Sequence, residues 1–288
     1  MVYFGPSGNS QSFYEDDFDS SVDMPAWLKS KGLSAYEYSC SKGVRIKENT
    51  AKKIGEEAKK NSILLSIHAP YYINLASEDQ QIREKSILHV IKTLEVARWM
   101  GARRIVIHTG SAKGESREEI LKIVSLGMID VLKTADNLGL GTITLCPEVL
   151  GKINQFGTLD EIIALCSIDK RLIPCIDFAH LYARTHGELK NYEDYKRVIE
   201  NTGKHLGEER MKSLHMHFSR IEYSQGGEKR HRRYDEIEYG PDFEPLAKVI
   251  AEYNLSPVVI CESRENMAED ALELKRIYIK EVEELKKC

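Results

Sequence analysis

Short apolar runs recur along the chain and alternate with longer amphipathic stretches. Eight runs have the length of a buried strand, and they cover residues 2–4, 35–38, 63–67, 105–107, 142–145, 172–176, 214–218 and 258–261. Most of these runs are almost continuously apolar, which is typical of parallel strands that are covered on both faces. The pattern therefore predicts eight parallel strands.

The amphipathic stretches predict helices between these strands. Residues 82–100 carry apolar side chains at a helical period. The same pattern covers residues 117–138, 158–167, 192–206, 243–253 and 265–287. Thr158 and Glu161 have the spacing of a capping box, which marks the start of a helix. The last stretch predicts a long, charged, amphipathic helix at the C-terminus.

Strands that alternate with helices along the whole chain indicate an α/β protein. Eight such units predict a (β/α)8 TIM barrel, and no linker or low-complexity tract divides the 288 residues, so we expect one domain over residues 1–288. An open doubly wound sheet is the alternative. Its phosphate-binding fingerprint, GxGxxG after the first strand, is absent from this sequence.

The composition indicates a folded protein from a reducing compartment. Hydrophobic residues make up 42% and charged residues 30%, so a core can form under a well-solvated surface. The six cysteines show no CxxC spacing, and no apolar run approaches the roughly 20 residues that span a bilayer. We therefore expect a cytoplasmic protein without a signal peptide. The net charge of −4 argues against a general basic coat for nucleic acid but leaves room for a local basic patch.

Six of the predicted strands end in an imidazole or a carboxylate. The residues at these ends are His68, His108, Glu148, Asp177 with nearby His180, His217 and Glu262. Because active sites of TIM barrels lie at the C-terminal ends of the strands, we expect these side chains to meet at one rim. This mixture of ligands suits zinc or a similar metal. His215 alternates with His217 on one strand, and we expect only one of the two to point into the barrel.

Each of these residues also has a structural interpretation when it is taken alone. His68 could satisfy a turn before Ala-Pro, and Asp177 could cap the following segment. Glu148 and Glu262 could pair with basic residues inside the barrel. The coincidence of so many acids and histidines at strand ends favours a metal site, because several buried carboxylates are difficult to explain without cations.

The chain resembles the endonuclease IV family through a series of motifs that occur in the family's order. They are SIHAPYYINLAS, VIHTGS, PEVLGKINQFGT, CIDFAHLYA, HMHFS, KRH and CES, and they span about residues 63–262. The resemblance implies a zinc-dependent TIM-barrel endonuclease that cuts DNA 5′ to abasic sites and acts in DNA repair. It implies DNA with abasic sites as the partner, and neither a membrane nor a protein partner.

The resemblance also implies which residues hold the metal ions. The first zinc would bind His68, His108 and Glu148, the second Glu148, Asp177, His217 and Glu262, and the third His180 and His231. The family's remaining ligand to the third ion is an aspartate, and Lys229 occupies its position here. Since an ammonium cannot coordinate a cation, the third site is absent or weak, or Glu228, Glu222 or Asp235 replaces the aspartate. Zinc at two sites is the expectation, and manganese is an alternative.

Catalytic and DNA-binding roles follow from the same resemblance. Glu262, together with Glu148, would orient the attacking water, and His231 would stabilise the leaving 3′ oxygen. Tyr71 matches a tyrosine that contacts DNA in the family. The segment FGPSGNSQS after the first strand and the short loop SCSKGVRI after the second depart from the family's pattern, so the resemblance is closer for the metal ligands than for DNA recognition.

A basic run at residues 229–233 lies after the seventh predicted strand, near the same rim. A solvated charge run is the structural interpretation. Its position favours contact with backbone phosphates through Lys229, Arg230 and Arg232. Lys113 and Arg117, after the fourth predicted strand, could assist.

Two other functions fit parts of the same pattern. A xylose-isomerase-like sugar isomerase or epimerase would use one divalent cation, often manganese, held by Glu148, Asp177, His217 and Glu262. Such an enzyme has no need for the further histidines His68, His108, His180 and His231. The third possibility is a nucleic-acid-binding protein without catalysis, in which Lys229 marks a degraded metal site.

Overall fold

The eight predicted strands form a closed parallel barrel in the computed structural model, which describes residues 1–111 and 116–287. The strands are β1 (Tyr3–Pro6), β2 (Ala35–Ser39), β3 (Leu64–His68), β4 (Arg104–Ile107), β5 (Thr144–Pro147), β6 (Cys175–Asp177), β7 (His215–Phe218), β8 (Arg220–Ser224), β9 (Gly227–Arg232) and β10 (Val258–Cys261). Two parallel sheets, β2-β3-β4-β5 and β1-β10-β7-β6, make up the wall, and β8 and β9 form a separate hairpin. Each apolar run in the sequence thus becomes one strand of the wall.

The barrel closes at two seams between these sheets. Parallel bridges close the seams at Ser7–Glu37, Leu145–Leu172 and Glu148–Cys175. At the first seam, a Cβ atom on Gly5 would lie 1.8 Å from the carbonyl oxygen of Ala35, so only glycine fits there. The prediction of a (β/α)8 TIM barrel is confirmed, and the alternative of an open doubly wound sheet is wrong.

Helices connect the strands of the wall. They are α1 (Gln11–Glu15), α2 (Met24–Lys31), α3 (Glu48–Asn61), α4 (Gln80–Met100), α5 (Arg117–Asn137), α6 (Leu159–Cys166), α7 (Phe178–Arg184), α8 (Tyr192–Leu206), α9 (Glu208–Lys212), α10 (Glu244–Glu252) and α11 (Met267–Leu285). The six predicted helices are all present, and their ends lie within two residues of the predicted ones. The amphipathic C-terminal helix is α11, which packs against β1 and β10 through its buried face.

The sequence pattern misses the charged helix α3. Only Ala51, Ile54 and Ala58 are buried along its length, and polar or charged residues fill nearly all the other positions, so the segment has few apolar residues by which to recognise a helix. The capping box predicted at Thr158 and Glu161 is present at the start of α6. The capping box thus marks the start of a helix that the apolar pattern also predicts.

The hairpin of β8 and β9, which the sequence pattern does not predict, follows the C-terminal end of β7. The two strands pair antiparallel, with Ile221 opposite His231. The register shifts between Glu222 and Tyr223, which makes Lys229 the extra residue of a β-bulge on β9. Both strands consist mostly of polar side chains, so the sequence lacks the apolar pattern of a strand here and the basic run resembles a loop.

The structure shows the state of the cysteines and the character of the helices. Five of the six cysteines lie within the described residues, and all five are buried and unpaired. Cys288 lies outside the described residues. Among the helices that the structure describes, none combines the length and the apolar composition needed to cross a bilayer.

Candidate metal centre

The acids and histidines predicted at the strand ends meet at the C-terminal rim of the barrel. Glu148 directly follows β5, Glu262 directly follows β10, and His217 lies near the end of β7. Four groups of potential ligand atoms form among the described residues, and within each group the atoms lie within 4.8 Å of one another. One group (Cys175, His215, His217) shares His217 with the others, and the remaining three lie at this rim. We name them the first cluster (His68, His108, Glu148), the second cluster (Glu148, Asp177, His217, Glu262) and the third cluster (Asp177, His180, His231). Together they contain every metal ligand that the sequence predicts.

The first cluster joins the ends of β3, β4 and β5. Nε2 of His68 lies 3.2 Å and Nε2 of His108 lies 2.9 Å from Oε2 of Glu148. Nδ1 of His68 donates a hydrogen bond of 2.8 Å to the backbone carbonyl of Ala69. This bond fixes the ring and directs Nε2 toward the cluster, so His68 makes the turn contact and faces the site at once.

The second cluster shares Glu148 with the first. Nδ1 of His217 lies 3.3 Å from a carboxylate oxygen of Glu148, 3.4 Å from one of Glu262 and 4.0 Å from one of Asp177. Asp177 also accepts a hydrogen bond from the backbone N–H of His180 and caps α7, as the sequence allows. Three carboxylates therefore surround one imidazole nitrogen.

The third cluster includes a histidine from the hairpin. Nδ1 of His180 lies 3.2 Å from Oδ2 of Asp177, and the rings of His180 and His231 lie 5.1 Å apart. His231 reaches the rim from β9, where its Nδ1 is 2.8 Å from Oγ of Ser219. Because Asp177 belongs to the second and the third cluster, shared carboxylates join all three clusters.

Lys229 and the acids around it occupy separate positions. Nζ of Lys229 pairs with Oε1 of Glu222 at 2.5 Å, and the lysine side chain is 52% exposed. Glu228, one residue earlier, places Oε2 3.5 Å from Nε2 of His180. Glu222 and Asp235 are engaged with basic side chains of the hairpin. The β-bulge therefore brings Glu228 to the third cluster, and Glu228 is the acid best placed to replace the expected aspartate.

Several of the buried polar atoms that lack hydrogen bonds belong to the clusters. Within residues 1–111 and 116–287, these atoms include Nε2 of His108, Oε1 of Glu148, Oδ2 of Asp177 and Nδ1 of His217. Buried nitrogen and oxygen atoms normally have a partner, and all four belong to the clusters. Imidazole nitrogen and carboxylate oxygen are ligands that zinc and related divalent cations prefer, so the residues present fit metal ions.

Electrostatic coupling sets the protonation of these side chains when no cation is bound. Burial opposes a charge on His68, but the hydrogen bond with the Glu148 carboxylate outweighs burial and raises the pKa of His68 to about 9. Burial also favours neutral Glu262, but the charge of His217 outweighs it and lowers the pKa of Glu262 to about 2. At Asp177, burial dominates and raises the pKa. His68 therefore holds a proton that a cation must displace.

A buried acid that the sequence analysis does not single out lies beside the second cluster. Glu37 on β2 has Oε1 3.1 Å from Nε2 of His217 and Oε2 3.0 Å from Nε2 of His215. Both histidines point into the barrel, and the expectation that only one of them does so is wrong, because residues two apart on a strand share a face. The one signal in the sequence is the position of this acid inside the strand AYEYS.

Tyr71 lies at the rim over the first cluster. Its ring centre is 4.9 Å from that of His68 and 5.0 Å from that of His108. The residue is nevertheless 52% exposed. The ring can therefore contact a ligand that approaches the first cluster.

Acids neutralise the cations of the hairpin to different degrees. Lys229 and Arg232 both pair with Glu222, and Arg232 also pairs with Glu236 at 3.1 Å. Arg230 is exposed and forms no ion pair with any side chain that the structure describes. Of the three predicted phosphate contacts in the hairpin, Arg230 is thus the most available.

Two basic residues after β4, Lys113 and Arg117, are predicted to assist the contact with phosphates. Lys113 lies outside the described residues. Arg117 donates to both carboxylate oxygens of Glu161, at 2.5 and 2.6 Å, and to the backbone carbonyl of Gln155 at 3.1 Å. These contacts tie the start of α5 to the start of α6, which is a structural role.

Comparison with known proteins assigns the chain to a class. The family model described as a xylose isomerase-like TIM barrel matches residues 25–288. An uncharacterised protein of Methanocaldococcus jannaschii is 36% identical over 96% of this chain and 97% of its own length. The chain therefore belongs to the xylose isomerase-like TIM barrel family.

Within this family, similarity extends to two kinds of protein. A probable endonuclease 4 of Oceanobacillus iheyensis is 26% identical over 80% of this chain and 76% of its own length. The solved structure of a D-tagatose 3-epimerase-like protein is 18% identical, with a TM-score of 0.71 over 99% of both chains. The solved structure of endonuclease IV from Thermus thermophilus is also 18% identical, with a TM-score of 0.68 over 98% of this chain and 99% of the endonuclease chain. The structural likeness shows the fold. In sequence, the chain resembles endonuclease 4 proteins and is consistent with a divergent, endonuclease IV-like member of the family.

Proposed function

We propose that this protein is a metal-dependent phosphodiesterase that cleaves DNA 5′ to abasic sites. The observation that carries the proposal is the set of three joined clusters at one rim. A single-cation isomerase needs the second cluster alone, which leaves four histidines without a role: His68, His108, His180 and His231. Cleavage of a phosphodiester gains from several cations, because they can stabilise both the attacking and the leaving oxygen.

Two features of the rim support DNA as the substrate, along with the similarity to endonuclease 4 proteins. Arg230 offers an exposed cation to a backbone phosphate. Tyr71 offers an aromatic face beside the first cluster. A duplex that is bent at the lesion, with the damaged sugar turned out, would bring a phosphate to the clusters and a base or sugar to this ring.

Zinc is the proposed metal, and manganese is the alternative. The first and second clusters would each hold one ion, and His180 and His231 would hold a third together with Asp177 and Glu228. When bound, such cations acidify a water molecule and neutralise charge on the phosphate. Lys229 takes no part in metal binding, because its charge is paired with Glu222.

Side chains of the protein supply the remaining steps. Glu262 stays ionised at neutral pH, since its pKa is lowered to about 2 by the charge of His217 against the effect of burial, and it can hold the attacking water as a hydrogen-bond acceptor. Glu148 would assist from the centre of the site. Ser219 holds Nδ1 of His231, which leaves the other ring nitrogen free to bind the third ion, and through that ion His231 would stabilise the leaving 3′ oxygen.

Sugar isomerisation or epimerisation through the second cluster is the competing function. The likeness to a D-tagatose 3-epimerase-like protein favours it, since Glu148, Asp177, His217 and Glu262 form a complete ligand set for one cation. Elemental analysis of protein purified without added metal separates the two functions. Two or three zinc ions support the phosphodiesterase, one manganese ion supports the isomerase, and DNA binding without metal supports a non-catalytic protein.

The reaction itself is tested with a defined DNA duplex. Metal-loaded protein is incubated with an end-labelled duplex that carries one tetrahydrofuran abasic-site analogue, and with the same duplex lacking the lesion. Cleavage 5′ to the lesion, with a 3′-hydroxyl product, is expected for the first duplex only. An intact lesion duplex would overturn the proposal.

A further inference from the structure

A layer of buried polar side chains lies beside the second cluster. Oε2 of Glu37 accepts a hydrogen bond of 2.8 Å from Oγ of Ser66, and it lies 3.0 Å from Nε2 of His215. Oε1 of Glu37 lies 3.1 Å from Nε2 of His217. All four residues are buried. Because β2 and β7 are not neighbours in the wall, the contacts of Glu37 with the two histidines cross the barrel interior, whereas Ser66 lies on the neighbouring strand β3.

The two ring nitrogens of His217 have different surroundings. Nδ1 lies among carboxylates of the second cluster, 3.3 Å from Glu148 and 3.4 Å from Glu262. Nε2 faces Glu37, which belongs to none of the three clusters. A neutral imidazole binds a cation through the nitrogen that lacks a hydrogen, so the other nitrogen must carry it and needs an acceptor. Oε1 of Glu37 lies 3.1 Å from this nitrogen, and among the described residues neither atom has an aligned hydrogen bond, so each is available to the other.

The neighbours of Glu37 are consistent with a carboxylate that only accepts. Nδ1 of His215 has no hydrogen-bond partner among the described residues, so the hydrogen of this ring belongs on Nε2, toward Glu37. Ser66 directs its hydroxyl hydrogen to the same oxygen. An ionised carboxylate accepts through both oxygens, whereas an amide accepts through one and donates through the other.

We propose that Glu37 is a positioning residue for the cation of the second cluster. Its carboxylate keeps the hydrogen of His217 on Nε2 and holds the ring so that Nδ1 meets the cation together with Glu148, Asp177 and Glu262. The inference rests on the proposed metal chemistry of the second cluster. It adds to that proposal a residue outside the ligand set, one that acts on the affinity for the ion through His217.

Glu37→Gln tests this role with little change in shape. The amide nitrogen cannot accept a hydrogen, so one of the two histidines loses its acceptor or changes tautomer. We expect one zinc ion to bind roughly 10- to 100-fold more weakly, as measured by competition with a chromophoric chelator. The affinity of the first cluster for zinc should fall less, because Glu37 contacts none of its residues through a hydrogen bond. Unchanged affinity for every ion would overturn the proposal.

Ser66→Ala is the matched control. It removes a neighbouring hydrogen-bond donor of Glu37 and leaves the contacts with His215 and His217 in place. Its zinc affinities should stay close to those of the unmodified chain. Thermal unfolding of both metal-free variants measures any purely structural role. If Glu37→Gln lowers stability but leaves every zinc affinity unaltered, the residue supports the barrel and does not position His217.

A measurement on the unmodified protein tests the same role and does not depend on whether a variant folds. Nitrogen-15 NMR of zinc-loaded, histidine-labelled protein reads the state of each ring nitrogen. We expect His217 to carry its hydrogen on Nε2 and to bind zinc through Nδ1, and the reverse arrangement overturns the proposal. Protein that binds zinc in the second cluster but leaves an abasic duplex intact would refute the nuclease and not this role. Protein without a cation there refutes both.

Discussion

Nζ of Lys229 lies 2.5 Å from Oε1 of Glu222, and more than half of the lysine side chain is exposed. Lys229, which the resemblance aligns with an aspartate of the endonuclease IV family, therefore directs its charge to a neighbouring acid of the hairpin. Glu228 lies beside His180 instead. The hairpin thus accommodates a lysine here without placing an ammonium group among the imidazoles of the third cluster.

Removal of the Glu228 carboxylate should release one ion. We expect Glu228→Gln to lower the zinc content by about one ion per chain, because an amide is a poorer ligand beside His180 and His231. Elemental analysis after dialysis measures the content. Glu222→Gln is the control, since it removes an acid of the same hairpin that is paired with Lys229. An equal loss in both variants would assign the effect to hairpin charge and not to ligation.

Glu262→Gln should abolish cleavage and preserve the fold. The variant loses the ionised oxygen that holds the attacking water, so we expect the rate on an abasic duplex to fall on the order of 100-fold or more. Single-turnover cleavage measures the rate, and circular dichroism checks the fold. Glu265→Gln, an exposed change three residues later, should cleave at the original rate. Full activity of Glu262→Gln would remove this residue from the mechanism.

Zinc uptake should release protons at neutral pH. The pKa of His68 is raised to about 9, because the contact with Glu148 outweighs burial. A raised pKa keeps the imidazole protonated below that value, so a cation must displace the proton, and zinc affinity should increase as the pH rises toward about 9. Calorimetry in two buffers of different ionisation enthalpy gives the number of protons released. Release of none at neutral pH would contradict the coupling.

Glu161 should stabilise the fold only while it is ionised. Burial favours its neutral form, but the hydrogen bond from Arg117 outweighs burial and lowers the pKa of Glu161. The contribution is therefore complete above the usual pKa of glutamic acid and is lost as the pH falls through the lowered value. At neutral pH we expect Glu161→Gln to cost about 1 kcal/mol of unfolding free energy, a modest figure because Arg117 is 40% exposed and water screens the pair.

Denaturant unfolding at several pH values measures this difference. Asp160→Asn is the control, because it removes the same charge from the same helical turn and loses only an exposed hydrogen bond with Asn201. Its effect should be smaller at neutral pH. A cost of Glu161→Gln that is the same in acid and at neutral pH would show that the ionised carboxylate is not the stabilising group.

Arg230 should contribute to DNA affinity more than Lys229 does. Arg230→Ala removes an exposed cation without an ion-pair partner among the described residues, and we expect weaker binding to lesion and undamaged duplexes alike. The slope of log affinity against log salt should fall by about 1. Lys229→Ala should change both quantities less, since Glu222 already neutralises that charge. Fluorescence anisotropy at several salt concentrations compares them, and equal slopes for both variants would contradict the ranking.

The wall and the ligands of the site are predictable from the sequence for one physical reason. Apolar runs become strands buried on both faces, and parallel strands in a barrel end at the same rim. A change from apolar residues to His, Asp or Glu at the end of a run thus locates a side chain such as Glu148 or Asp177 without any knowledge of the packing. The placement of these residues depends on topology alone.

Residues whose positions depend on packing across the barrel are not predictable in this way. Glu37 stands alone in an apolar strand, and only the fold shows that His215 and His217 lie opposite it. Glu228 and not Lys229 lies beside the third cluster because of a β-bulge. The sequence of a hairpin made of polar residues has no periodic pattern that would reveal the extra residue of such a bulge. In both cases the deciding information is a contact between segments far apart in the sequence.

Glu148 belongs to two clusters, and Asp177 belongs to two as well. Ions at this rim therefore cannot fill independently: each one draws on a carboxylate that its neighbour also uses, while a filled neighbour holds the shared oxygen in place. Loss of either acid would disturb more than one ion, and a metal titration of the protein should follow a coupled curve in place of separate steps.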